Sequence, residues 1–256
     1  MEILQKSFSD SNYFTIIFLH GFPYDSRMWK YQFDLGNVNL AALDLLGAGS
    51  KKTERLFSLE AMVDIAFSEI YSLGWKNILL SGLSMGGYVA LRMLEKYPNF
   101  FRGAIFFDTR SEADSNEVKI KRAQNIKLLL ENGIEKFVEN FVPLTVAPNA
   151  LEENPSLKTE LLEIAKSQNA EGLASQLLAM QGRTDTTHVL SEISIPSLVV
   201  CGELDSITPP ESMKNFASKI PNSLFEVVPK AGHMAPIEKP EIVNQIINNF
   251  INNLPK

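Results

Sequence analysis

Six short apolar runs punctuate the chain: residues 14–19 (FTIIFL), 39–44 (NLAALD), 77–81 (NILLS), 103–107 (GAIFF), 197–201 (SLVVC) and 223–228 (SLFEVV). They are continuous rather than alternating. A strand of this kind is buried on both faces, as in a parallel sheet covered by helices. The connectors supply the covers. Residues 58–72 carry Leu59, Met62, Val63, Ala66, Phe67 and Ile70 at helical spacing. Residues 85–97 carry Val89, Leu91, Met93 and Leu94 and stop at Pro98, and residues 240–254 carry Ile242, Val243, Ile246, Ile247, Phe250 and Ile251. Strand and helix in alternation predict an α/β fold with a doubly wound, mostly parallel sheet.

One stretch departs from that alternation. Between residues 111 and 187 no strand pattern is found, only helical pieces at 116–132, 134–141, 155–167 and 171–180, broken at Gly133, Pro143, Pro148 and Pro155. The expected organisation is a core of residues 1–110 and 188–256 with a helical cap, residues 111–187, inserted over the carboxyl edge of the sheet. Ligands of open α/β sheets bind at that edge.

Composition bounds the partners. A chain of 256 residues, 45% hydrophobic and 21% charged, is large enough to bury a core without a metal or disulfide. A net charge of -6 argues against nucleic acid or an anionic membrane surface as the main partner. The single cysteine, Cys201, excludes an intrachain disulfide and suits a reducing cytoplasm. Residues 1–6 (MEILQK) show no basic segment followed by a long apolar run, and the run at 14–19 is too short to span a bilayer. Neither export nor membrane anchoring is expected.

Gly82-Leu83-Ser84-Met85-Gly86 joins the NILLS strand to the helix at 85–97. A serine at so sharp a strand-to-helix turn is a candidate nucleophile, since its hydroxyl projects over the sheet edge at a helix N-terminus. A hydroxyl needs a base at neutral pH, and imidazole has a suitable pKa. Of the three histidines, His233 lies in the loop between the last strand and the last helix. His20 reads as a loop brace and His188 as a helix-surface residue, while Cys201 reads as core. Asp205, just after the SLVVC strand, is the candidate acid to orient the imidazole. Glu203 lies closer to the strand end, and Asp108, which ends the GAIFF strand, is the alternative acid. A tetrahedral oxyanion needs two N–H donors. Met85, after the serine, and Phe22, in the His20-Gly21-Phe22-Pro23 loop, are the candidates.

With these pieces assembled, the chain resembles the α/β-hydrolase superfamily, in the branch of small lidded serine esterases and lactonases that includes 3-oxoadipate enol-lactonases. The segments that carry the likeness are FLHGFPYDSRMW, SGLSMGGYVALRMLEKYP, SLVVCGELDSITPPESM and KAGHMAPIEKPEIV. The resemblance implies a catalytic triad of Ser84, Asp205 and His233, oxyanion donors on Phe22 and Met85, and no cofactor and no metal. Its implied substrate is a small carboxylic ester or lactone. Thioester, carbon–carbon and perhydrolase or haloperoxidase-like chemistries use the same triad, and a slow-turnover ligand receptor is the non-enzymatic alternative. Arg110, Phe137, Phe141, Val142 and Met234 are the candidate substrate contacts, Arg110 as a partner either for a substrate carboxylate or, in a salt bridge, for Glu112, Asp114 or a carboxylate of the cap.

Overall fold

The computed structural model describes residues 4–7 and 13–255; residues 1–3 of the amino-terminal stretch read above lie outside the described residues. Seven strands form one sheet: β1 (Leu4–Lys6), β2 (Thr15–Leu19), β3 (Asn39–Leu43), β4 (Ile78–Leu83), β5 (Gly103–Phe107), β6 (Ser197–Gly202) and β7 (Ser223–Val228). Their order is β1-β3-β2-β4-β5-β6-β7, and only β1 runs antiparallel to its neighbour. Strands β2 to β6 are buried along their whole length, as continuous apolar runs require. Strand β7 is an edge strand, and most of its side chains are at least partly exposed.

The helices are α1 (Leu59–Ser72), α2 (Met85–Lys96), α3 (Asn116–Phe141), α4 (Ala150–Glu153), α5 (Pro155–Lys166), α6 (Ala170–Gln181), α7 (Thr187–Leu190), α8 (Pro210–Ser218), α9 (Ala235–Glu238) and α10 (Pro240–Asn252). Among the described residues none is long and apolar enough to cross a membrane. Helix α1 starts where the sequence places it, with Ser58 Oγ accepting the Ala61 N–H at 3.2 Å. Gly133 breaks α3, with φ 83° inside the helical run.

Registry decides where the site forms. Leu83 sits opposite Phe107, and Phe107 opposite Val200, so β4 and β5 end at one level and β6 runs two residues beyond it, to Gly202. The ladder continues one step beyond β4 and β5: Ser84 N–H donates to Phe107 O at 3.0 Å, and Asp108 N–H to Val200 O at 3.1 Å. The residues that follow these three strands therefore share the carboxyl edge.

No strand interrupts the described chain between Phe107 and Ser197, which holds α3 to α7 instead. Polar contacts tie this helical segment to the core. Tyr24 Oη and Thr145 Oγ1 lie 2.8 Å apart, Gln168 Nε2 donates to Asp25 Oδ2 at 2.7 Å, and Tyr31 Oη donates to Glu160 Oε2 at 2.8 Å. Asp114, with its side chain buried in the segment, accepts from Arg122 Nε at 2.5 Å and from Arg183 Nη1 at 2.6 Å.

Candidate functional site

Ser84 begins the site. It has φ 52° and ψ -110°, a conformation that L-residues other than glycine rarely adopt. Close packing enforces it. A Cβ on Gly82 would collide with the Gly86 carbonyl, and one on Gly86 with the carbonyls of Leu19 and His20. The missing side chain of Gly82 lets β4 approach α2, and that of Gly86 lets α2 approach the end of β2. Thr109 Oγ1 donates to the Ser84 carbonyl at 2.8 Å and fixes the turn from the β5 side. No acceptor among the described residues takes the N–H of Met85 or of Phe22.

His233 and Asp205 meet at the same edge. His233 Nδ1–H donates to Asp205 Oδ2 at 2.7 Å, and both side chains are almost fully buried. A neutral imidazole bonded this way leaves Nε2 unprotonated. Asp205 is held in turn by Thr208 Oγ1 at 2.5 Å and by the Ile207 N–H at 2.7 Å. Burial opposes ionisation of Asp205, but the adjacent imidazole and these donors outweigh it and hold the carboxyl below the usual carboxylate range.

Asp108, the alternative acid, lies beside this pair without taking the imidazole N–H. Its Oδ1 accepts the Gly202 N–H at 2.9 Å, and its buried Oδ2 has no hydrogen-bond partner. Burial first, and the Asp205 charge second, push its carboxyl well above the ordinary range. Burial together with the same two carboxyls pushes the Cys201 thiol up to about 12, an inert core thiol. Asp108, Asp205 and His233 offer ligand atoms within 4.8 Å of one another, the one such group among the described residues. A cation there would have to displace the proton shared by His233 and Asp205.

The other histidines lie apart. His20 Nε2 accepts the Leu45 N–H at 2.9 Å and Nδ1 faces the Gly21 carbonyl at 2.9 Å, so the ring braces the loop after β2. His188 is exposed and pairs with Glu95 at 3.0 Å.

A cavity of about 510 Å³ opens over the edge, a size suited to a small molecule. Ser84, His233 and Phe22 line it together with Tyr88, Arg110, Phe137 and Phe141. Phe22, Phe137 and Phe141 form a cluster, with Phe22 edge-on to Phe141 at 5.3 Å and the other two stacked at 5.4 Å. Two expected substrate contacts are corrected. Val142 and Met234 have no exposed surface and do not line this cavity. Val142 follows α3 on its inward side and packs in the core. Met234 caps α9 with its backbone while its side chain is enclosed.

Sequence reasoning missed Glu238. Its Oε1 accepts the N–H groups of Gly232 at 2.9 Å and Met234 at 3.2 Å, on either side of His233. Its Oε2 accepts the Ala147 N–H of the helical segment at 2.9 Å. Burial pushes this carboxyl upward while the three N–H donors pull it down. One side chain thus holds the histidine loop and ties the segment to it. The only signal in the sequence is a glutamate five residues after the histidine.

The family described as the alpha/beta hydrolase fold matches residues 15–240. The chain belongs to this family. Its likeness runs to the esterase and lactonase branch. An esterase from Thermogutta terrifontis, solved with malate bound, superposes with a TM-score of 0.93 at 33% identity, over 100% of this chain and 94% of that one. The AB hydrolase superfamily protein YisY of Bacillus subtilis is 26% identical over 93% of this chain and 91% of its own length. The 3-oxoadipate enol-lactonase 2 of Acinetobacter baylyi is 27% identical over 65% of this chain and 60% of its own length.

Proposed function

We propose that this α/β-hydrolase is a serine hydrolase of small carboxylic esters or lactones, with residues 111–187 as a cap over its site. The observation that carries the reading is a single cavity lined by both Ser84 and His233, the imidazole already bonded to Asp205 through Nδ1 at 2.7 Å. The esterase and lactonase relatives support the substrate class.

The chemistry follows from that arrangement. His233 Nε2 takes the hydroxyl proton as Ser84 Oγ bonds to the substrate carbonyl carbon. Asp205 stabilises the imidazolium and keeps the ring oriented. The negative charge that develops on the carbonyl oxygen falls to the Phe22 and Met85 N–H groups, the second of them at the N-terminus of α2. Collapse breaks the carbon–oxygen bond of the ester, and the leaving alkoxide takes the proton from His233. Water, deprotonated by the same nitrogen, attacks the acyl-enzyme, and collapse returns the proton to Ser84.

Labelling tests the assignment. A fluorophosphonate probe forms one covalent adduct at Ser84 in the wild type and none in Ser84→Ala, read by peptide mass spectrometry. A panel of short-chain 4-nitrophenyl esters and of five- and six-membered lactones is turned over by the wild type. An adduct retained in the variant, or no turnover of any ester or lactone, overturns the reading.

A further inference from the structure

The cavity over Ser84 is cationic in a chain that is acidic as a whole. Arg110, Lys121 and Arg122 line it, with the amides of Asn125 and Asn140, and no aspartate or glutamate does. The full chain has 30 acidic and 24 basic residues, so an all-basic charged lining runs against its composition. One of the three cations is neutralised, since Arg122 is bound to Asp114 at 2.5 Å. Asp114 is also shared with Arg183. The other two form no ion pair among the described residues. Lys121 is exposed on α3. Arg110 is half-buried, and Nη2 donates to the backbone carbonyl of Ile207 at 2.5 Å. A neutral acceptor leaves the guanidinium charge uncompensated and the rest of its donor fork unused.

The place of Arg110 gives that charge a use. It follows Thr109, whose hydroxyl holds the Ser84 carbonyl, and it bonds to Ile207, whose N–H holds Asp205. Ser206 and Ile207 line the same cavity. The guanidinium is thus braced between the turn that presents the serine and the loop that presents the acid. The aromatic cluster of Phe22, Phe137 and Phe141 supplies apolar surface to the same space.

We infer that the cavity selects substrates carrying a free carboxylate, seated on Arg110 and Lys121 while the ester carbonyl faces Ser84. This rests on the serine hydrolase reading above and names its substrate class: the half-ester of a dicarboxylic acid. A planar guanidinium meets a carboxylate with two parallel hydrogen bonds, and walls of low polarity strengthen the pairing. The lysine adds charge at the mouth and draws the anion in.

Monomethyl glutarate and methyl pentanoate test this, since they differ only in a carboxylate replacing a terminal methyl group. Release of acid is followed by pH-stat titration at low ionic strength. The wild type is expected to favour the half-ester by about tenfold or more in kcat/KM, expressed mainly in KM and equivalent to about 1.4 kcal/mol. Arg110→Gln reduces that ratio, and so does Lys121→Gln, whose exposed position leaves the fold intact. Lys127→Gln, which removes an exposed charge of the same helix outside the cavity, leaves the ratio where it was. Glutarate binding, measured by calorimetry on wild type and Arg110→Gln, gives a readout that needs no turnover. A preference for the neutral ester, or a ratio that ignores both substitutions with a glutarate affinity unchanged in Arg110→Gln, overturns the inference while leaving the hydrolase intact. Glutarate that binds and is lost in Arg110→Gln, with neither ester turned over, supports the anion site and sinks the serine hydrolase reading instead. Failure of both esters together with failure of glutarate to bind removes both.

Discussion

At the carboxyl edge of the sheet, position is dictated by backbone. Ser84 is held in a left-handed conformation by two close approaches that tolerate only glycine, and the strand ladder reaches one residue past β4 and β5. The helical segment from α3 to α7 is held more by side chains, such as Tyr24 with Thr145 and Gln168 with Asp25, with close backbone approaches where Gly172 meets Gly47 and Gly232 meets Val146 and Ala147. Backbone registry cannot shift by a fraction of a residue, whereas a segment fastened by side chains can be rebuilt one contact at a time. The edge is therefore suited to chemistry that must not vary, and the segment to the choice of what is acted upon. Substitutions at the edge should lower kcat for every substrate, and substitutions on the segment should alter the ranking of substrates.

The largest effect should come from breaking the edge where two carboxyls compete. Asp205→Asn is expected to lower kcat by on the order of 10³ to 10⁴ for all esters, because an amide at this position turns its N–H or its oxygen to the imidazole and loses the charge that steadies the imidazolium. Asp108→Asn should cost less than about tenfold, since Asp108 gives its bonded oxygen to Gly202 and none to the imidazole. Steady-state kinetics on one neutral ester distinguish the two, and the opposite ranking would move the acid to Asp108.

The joint between the two regions should give way next. Glu238→Ala leaves the N–H groups of Gly232, Met234 and Ala147 without their acceptor. With a cost of about 1–3 kcal/mol for a buried donor left unpaired, the variant should unfold at distinctly lower urea concentration. Glu238→Gln keeps one carbonyl oxygen and should fall between the two. If the joint also sets the histidine loop, kcat declines with stability in this series. A drop in stability with kcat unchanged would show that Glu238 fastens the segment alone.

Much of the edge was legible before any coordinates. Continuous apolar runs announced β2 to β6 because burial on both faces leaves no alternation to misread, and the glycines around Ser84 announced a turn that only close packing explains. β1 escaped because Leu4-Gln5-Lys6 is three residues long and carries no apolar run. α8 escaped although Met213, Phe216 and Ala217 stand at helical spacing, since one turn and a half of pattern is too short to weigh. The choice between Asp205 and Asp108 was open in the sequence, because both follow the carboxyl ends of neighbouring strands; which oxygen meets Nδ1 depends on a loop closing in three dimensions. Val142 and Met234 were placed against substrate for a related reason. Periodicity says that a side chain is buried but not what it is buried against, and both turned out to face the core. Glu238 acts through the histidine loop and Ala147 of the helical segment, and Thr208 through Asp205 three residues before it; no periodicity marks either.

On the helical segment, Phe141→Ala should change preference rather than rate. Phe141 packs edge-on to Phe22 and lines the cavity without touching the His233–Asp205 pair. Removing the ring enlarges the cavity, and the ranking of acyl chain lengths should move toward longer chains by about tenfold in kcat/KM, the scale of one or two methylenes in an apolar pocket. Equal losses for acetate, butyrate and hexanoate esters would mean that the ring positions Phe22 and belongs with the edge. The contrast between the regions would then end at α3.

The smallest effect concerns the cost at which the edge is assembled. Asp108 is neutral when folded far above the pH at which an unfolded aspartate ionises, about 3.9. Between that value and its raised folded pKa the folded chain binds a proton that the unfolded chain has released, so the residue's contribution to stability falls as pH rises through this window. Asp205 works in the other sense. Its folded pKa is depressed, so its contribution is present above the ordinary carboxylate range and is lost only as pH falls through the folded value. Asp108→Asn removes the first dependence and leaves the second. The difference in Tm between the variant and the wild type should therefore become more favourable to the variant as pH rises from 4 toward 8. A constant difference across that range would mean that Asp108 ionises in place. The edge would then hold two adjacent charged carboxylates, and the charge on Asp205 could no longer be what distinguishes the pair.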